Sequence, residues 1–147
     1  MHMVSMKDIA KQCNVSVASV SKALNGYPDI SEETRQLILN TASEMGYLPN
    51  SSARSLKTKR SHNLGVLFVD EAMSGLTHDY FNHVLESFKR TAESRGYDIT
   101  FTSGNLSGQH ISYYDHCRYR GVDGVVIACI DFFTEEVQQL VRSEIPV

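Results

Sequence analysis

The sequence lacks the features that would place it in a membrane, in an oxidising compartment or among metal and nucleotide enzymes. Its three cysteines, Cys13, Cys117 and Cys129, are an odd number in apolar settings, so no disulfide framework is expected. No apolar run is long enough to cross a bilayer, and no charged-then-apolar leader opens the chain. The expectation is a soluble, reduced, cytoplasmic protein with no membrane partner. Gly104 and Gly108 miss both the G-x-G-x-x-G and the phosphate-loop spacing, and no G-x-S-x-G elbow exists. His78, Asp79 and His83 are neighbours in sequence, but a five-residue histidine spacing does not align two ligands on one helical face, and His110, His116 and Cys117 do no better. These histidines are expected on the surface or at caps. No catalytic group, metal or cofactor is expected.

Basic charge is scarce overall but unevenly placed. The formal charge of the 147 residues is −3. Residues 1–61 carry eight Lys or Arg against five Asp or Glu, whereas residues 62–147 carry six against twelve. The basic end therefore suits a partner that the acidic end does not share. With 41% hydrophobic residues the chain is globular, holding one domain or two small ones.

The basic end holds the most informative segment, DIAKQCNVSVASVSKALN, residues 8–25. Ser5 with Asp8 three residues on has capping-box spacing, which starts one helix. Asn14 and Val15 supply a turn, Ser16 caps a second helix, and Gly26 ends it in a left-handed conformation. Ile9, Ala10, Cys13, Val15, Val20 and Leu24 share one side, and Val17, Ala18, Ser21 and Lys22 the other. Those four form a face able to enter a DNA groove. After a turn at Tyr27-Pro28-Asp29, Ser31 with Glu32 and Glu33 opens a third helix through Met45, ended by Gly46, with Leu37, Ile38, Thr41, Ala42 and Met45 inward. Such a three-helix unit has a small core.

Residues 49–61, PNSSARSLKTKRS, read by composition as a flexible tether. Asn50 can alternatively cap a short helix with Ala53 and Leu56 on one face and Arg54 and Lys57 on another, one expected to need DNA or a partner chain to form. From Asn63 the pattern becomes strand and helix in turn. LGVLFVD, YDITFTSG and VDGVVIACID are expected strands, and DYFNHVLESFKRTAESRG, SGQHISYYDHCRYRG and TEEVQQLVRSE are expected helices. Ile145-Pro146-Val147 looks like the start of a fourth strand. This alternation predicts a doubly wound parallel α/β sheet, and its stop before another strand suggests the front portion of a longer protein.

The segments DIAKQCNVSVASVSKALNG, ISEETRQLILNTASEMGYLPN, ARSLKTKRS and NLGVLFVD follow one another as in the Lac and galactose repressor family, which the chain resembles from Val4 onward. The resemblance implies an all-α helix-turn-helix domain over 4–48, a hinge over 49–61 and part of a periplasmic-binding-protein-like α/β domain over 62–147. It implies a nucleoid-associated, non-enzymatic regulator that binds a pseudo-palindromic double-stranded operator as a homodimer in full-length form and responds to a small effector such as a sugar. Carried over by position, Val17, Ala18 and Lys22 face bases. Ser16, Ser19, Ser21, Asn25, Ser31, Thr34, Tyr47 and Asn50 contact phosphates or sit beside them. Lys22 stands where the family often has arginine, so a two-pronged contact with guanine becomes a single flexible one. Leu56 matches a leucine wedged into the minor groove, and Ala53 the small residue that lets hinge helices approach the groove floor. Packing of Leu56 on the following domain is the plain alternative.

In doubly wound sheets ligands lie beyond the carboxyl ends of the strands, which here nominates Asp70, Tyr80, Phe81, Ser103, Asn105 and Asp131. Tyr80 and Phe81 match effector-lining aromatics of similar regulators, with ordinary core packing as the alternative. A rival to the regulator is a sugar-binding module of the periplasmic type without operator binding.

Overall fold

The computed structural model describes residues 3–69, 75–77 and 79–147. Two compact units divide the chain, Met1–Asn50 and Ser51–Val147.

The first unit is three helices, α1 (Met6–Cys13), α2 (Val17–Leu24) and α3 (Glu32–Glu44). Each starts at a serine whose hydroxyl accepts the backbone N–H three residues on: Ser5 from Asp8, Ser16 from Ser19 and Ser31 from Thr34. At Ser5 the box closes fully, since its backbone N–H donates back to the Asp8 carboxylate at 2.8 Å. Asn14 ends α1 in the left-handed region at φ 52°, where asparagine is tolerated. Gly46 (φ 67°) ends α3 with the Tyr47 N–H on Ala42 O at 2.8 Å and the Gly46 N–H on Ser43 O at 3.0 Å, a Schellman closure. The core is Ile9, Ala10, Val20, Ala23, Ile38 and Ala42, flanked by Cys13, Val15, Leu24, Met45 and Tyr47. Leu37, expected inward, is 50% exposed. Ile38, Thr41, Ala42 and Met45 fill the facing stripe, and Leu37 falls a position outside it.

The second unit opens with α4 (Ser51–Thr58), so the expected tether is helical. It continues with β1 (Asn63–Phe68), a 3₁₀ turn at Gly75–Thr77, α5 (Asp79–Ser94), β2 (Asp98–Thr102), β3 (Asn105–Leu106), β4 (Gln109–His110), α6 (Tyr113–Arg120), β5 (Gly124–Ala128) and α7 (Glu135–Val141). β1, β2 and β5 form a parallel sheet in the order β2-β1-β5, with Leu64 opposite both Ile99 and Gly124. Alternate residues of β1 face opposite ways. Phe68 meets Phe81 of α5, with ring centroids 3.9 Å apart. Leu67 packs with Cys117 of α6, Leu140 of α7, Val125 and Ile145. Helices thus cover both faces, as expected of a doubly wound sheet.

Two expectations are corrected here. The helix expected over residues 107–121 starts only at Tyr113, because Ser112 caps it with its hydroxyl on the Asp115 N–H at 3.1 Å. The residues before it form the β3–β4 hairpin, turned at Ser107 (φ 53°) and Gly108 (φ 81°), where two successive positive φ values make the primed turn that fits strand twist. Ile145–Val147 forms no strand, although Pro146 O accepts from the Val125 N–H at 2.8 Å on the open side of β5. Among the described residues no helix is long and apolar enough to cross a membrane.

Candidate functional site

The exposed side of α2 is built over the small core of the first unit. Val20 and Ala23 are buried, which turns Val17 (42% exposed), Ala18 and Lys22 to solvent and leaves Ser21 half-buried. Val17 and Ala18 offer only methyl groups, suited to a thymine methyl. The Lys22 ammonium is paired with the Asp29 carboxylate. This pair holds the Asp29 carboxyl below the usual carboxylate range, chiefly through the Lys22 hydrogen bond. Arg35 steadies the intervening turn by donating to Tyr27 O.

Around this face stand the expected phosphate-side groups. The Ser16 hydroxyl is used in capping and lies 2.9 Å from Ser19 Oγ. Asn25 Nδ2 donates to Ser21 O at 2.6 Å and also reaches Ser21 Oγ at 3.4 Å. Ser31 Oγ donates to Thr34 Oγ1 at 2.8 Å. Tyr47 packs half-buried against the core, and Asn50 lies exposed just before α4. Backbone N–H groups at the starts of α2 and α3 add donors of the kind that hold phosphate oxygens.

In α4 Leu56 is 85% exposed, and Ala53 lies one turn before it on the helix. The helix end is closed locally: the Lys59 N–H reaches Ser55 O at 2.8 Å, and Thr58 Oγ1 donates to Arg60 O at 3.1 Å.

The effector-side nominees fall into unlike settings. Asp70 lies outside the described residues. Tyr80 is 75% exposed, whereas Phe81 is buried in the stack on Phe68. Ser103 follows β2 and its hydroxyl donates to Asn105 O at 3.0 Å. Asn105 Oδ1 accepts from the Gly108 N–H at 3.0 Å and Asp131 Oδ1 from the Phe133 N–H at 2.9 Å, so each fixes its own loop. Among the described residues no cluster of three or more His, Cys, Asp or Glu could hold a metal.

Residues 5–50 match the family described as "Bacterial regulatory proteins, lacI family". The chain belongs to the LacI family. It is 35% identical over 125 residues to the probable HTH-type transcriptional repressor ExuR of Bacillus subtilis, covering 85% of this chain and 36% of that protein. It is 31% identical over 126 residues to the HTH-type transcriptional regulator MalR of Staphylococcus xylosus, covering 85% and 37%. This LacI-family chain thus spans little more than a third of the length of these curated relatives. Its fold matches that of a Lac repressor crystal structure with ONPG bound at a TM-score of 0.72, with 20% identity over 99% of this chain and 44% of the other.

Three residues of this LacI-family chain take part in the geometry without a sequence signal. Asp29 reads as a turn residue, yet it holds Lys22. Asp123 reads as the polar start of a strand, yet its carboxylate accepts from Ser61 and His62, 61–62 positions away. His116, expected on the surface or at a cap, is buried. Its Nδ1 lies 3.1 Å from Ser103 N and 2.7 Å from Ser103 O, and its Nε2 lies 3.4 Å from Arg120 Nε, so the ring bridges the end of β2 to α6.

Proposed function

We propose that this chain is the DNA-binding and hinge portion, with part of the effector domain, of a sequence-specific transcriptional regulator. In this reading residues 4–48 bind the major groove through α2, residues 49–61 act as hinge, and residues 62–147 contribute one side of a pocket for a small metabolite, a sugar being the class favoured. The single observation that carries it is the solvent face of α2: Val17, Ala18 and Lys22 stand exposed on a helix whose other side is locked into the core. Lys22 supplies an ammonium for guanine O6 or N7, and the two apolar neighbours supply methyl contact and shape. The exposure of Leu56 supports a wedge in the minor groove rather than packing on the α/β unit. The names of the relatives, a repressor and a regulator of transcription, support the same role, which we propose the full-length protein performs as a dimer on a two-fold operator.

Electrophoretic shift of the 147-residue chain tests it, comparing an inverted-repeat duplex selected from a random pool with the pool itself. Affinity should fall steeply as salt rises, because Lys and Arg release condensed counterions from the backbone, and the selected duplex should bind more tightly. Equal affinity for both would reduce the role to non-specific binding, and a flat salt dependence would remove it.

A further inference from the structure

The hinge helix α4 is not glued to the sheet by apolar contact. Leu56 points away into solvent. On its other side α4 presents Ser51, Ser52 and Ser55 to a cavity of about 610 Å³ whose lining includes Asn63 and Asp98 at the amino ends of β1 and β2, together with Tyr119 and Val122. Three serines facing this much open space give α4 little hydrophobic adhesion. The strap of residues 59–62 is the chain segment that carries α4 onto the sheet.

All four backbone N–H groups of that strap are hydrogen-bonded. At its start, the Lys59 and Arg60 N–H groups are bonded to Ser55 O at 2.8 Å and Thr58 Oγ1 at 3.3 Å. At its end, the Asp123 carboxylate takes three donors: the Ser61 N–H at 2.8 Å and Ser61 Oγ at 3.0 Å on one oxygen, and the His62 N–H at 3.0 Å on the other. His62 O then accepts from the Asp98 N–H, and Asn63 O from the Asp123 N–H, each at 2.8 Å. Lys59 and His62 both sit at φ 55°, a left-handed conformation that ordinary side chains adopt only where surroundings impose it. Asp123 itself lies between the end of α6 and the start of β5. Its carboxylate ties two strap residues to the start of β5, in a half-buried place where charge-assisted bonds are strong.

We propose that Asp123 is a positioning residue that fixes the strap behind the hinge helix on the α/β unit, so that a displacement of β5 and α6 is carried toward α4 through its carboxylate. This rests on the proposed role of α4 as a DNA-contacting hinge. Replacing Asp123 with Asn keeps the shape but turns an amide donor toward N–H groups, and replacing Ser61 with Ala removes a hydroxyl that donates to Asp123 and accepts from the Asn63 N–H at 3.2 Å while leaving the carboxylate in place.

The test is amide hydrogen exchange on the full 147-residue chain, followed by binding and bending of the selected inverted-repeat duplex. In D123N the Ser61 and His62 amides should exchange about ten- to a hundred-fold faster, with Val66 and Leu67 in β1 unchanged, and duplex bending should fall. S61A should give a smaller change of the same kind. Unchanged exchange at Ser61 and His62 would overturn the proposal. Acceleration spread evenly through β1 and β2 would also overturn it, reducing Asp123 to a fold-wide support. If exchange changes as expected but neither wild type nor variant binds the duplex, the carboxylate still anchors the strap, while its link to DNA falls together with the proposed function.

Discussion

Lys22 is the one charged side chain on the exposed face of α2, and it is already engaged by Asp29. In the proposed complex Lys22 exchanges that carboxylate for a base or phosphate acceptor, an exchange expected to cost affinity at any DNA site. Asp29→Asn should therefore raise affinity for duplex in general and steepen the salt slope by about one charge, since a freed ammonium can neutralise one more phosphate. Lys22→Ala should instead relax preference at one base pair of each half-site by about 1 to 3 kcal/mol if the ammonium reads guanine. Uniform weakening across sequences would make Lys22 a phosphate contact. The pair survives mild acid. Because the folded Asp29 carboxyl is held below its ordinary value by the Lys22 bond, its contribution is complete above the unfolded pKa and is lost only as pH falls through the lower folded value. Binding measured between neutral pH and pH 5 should show no step due to Asp29. The cysteines give an independent residue-scale check. Burial pushes the Cys117 thiol up, while Cys13 is half-buried and Cys129 exposed. An aromatic disulfide reagent at neutral pH should label Cys129 first and Cys117 last, and early labelling of Cys117 would contradict the packing around α6.

At the scale of the element, α4 shows how a short helix outside any core can still be specified. Its apolar side chain Leu56 makes no core, so Leu56→Ala should leave the three-helix unit folded and reduce DNA bending in a circular-permutation gel. Unchanged bending would end the wedge reading. The regular elements were legible in the sequence because each carries a local cause. The serines before α1, α2 and α3 cap them as spaced, and the apolar run of β1 sits at the sheet centre. The β3–β4 hairpin was hidden because its strands are only two residues long, too short for a period-two pattern, so only the Ser107-Gly108 turn could have betrayed it. Of the candidate site, the α2 face followed from helical spacing alone. The Lys22–Asp29 pair and the Asp123 tie did not, because each joins residues across a turn or across the sheet, and no local pattern encodes that distance. Phe81 illustrates the same limit: position next to Tyr80 made the two look alike, but one turns into the stack on Phe68 and the other into solvent.

For the whole molecule, the division into two units has a thermodynamic consequence. The first holds its three helices around six buried apolar residues, four of them in α1 and α2, a core small enough to be marginal. The second has its own separate cluster across a parallel sheet. Two cores that share no buried residue need not unfold together, so far-UV ellipticity should be lost in two steps on heating, the helical unit first. Ile38 and Leu67 are both fully buried, one in each cluster. Truncating either to Ala leaves a cavity that costs about 2 to 5 kcal/mol, comparable to the whole stability of a small domain. Ile38→Ala should abolish the first step and leave the second in place, with DNA binding lost. Leu67→Ala should lower the second step and leave the first. A single transition shifted equally by both substitutions would show that the two cores melt as one, and the separation into a reading unit and a sheet unit would then have no energetic meaning.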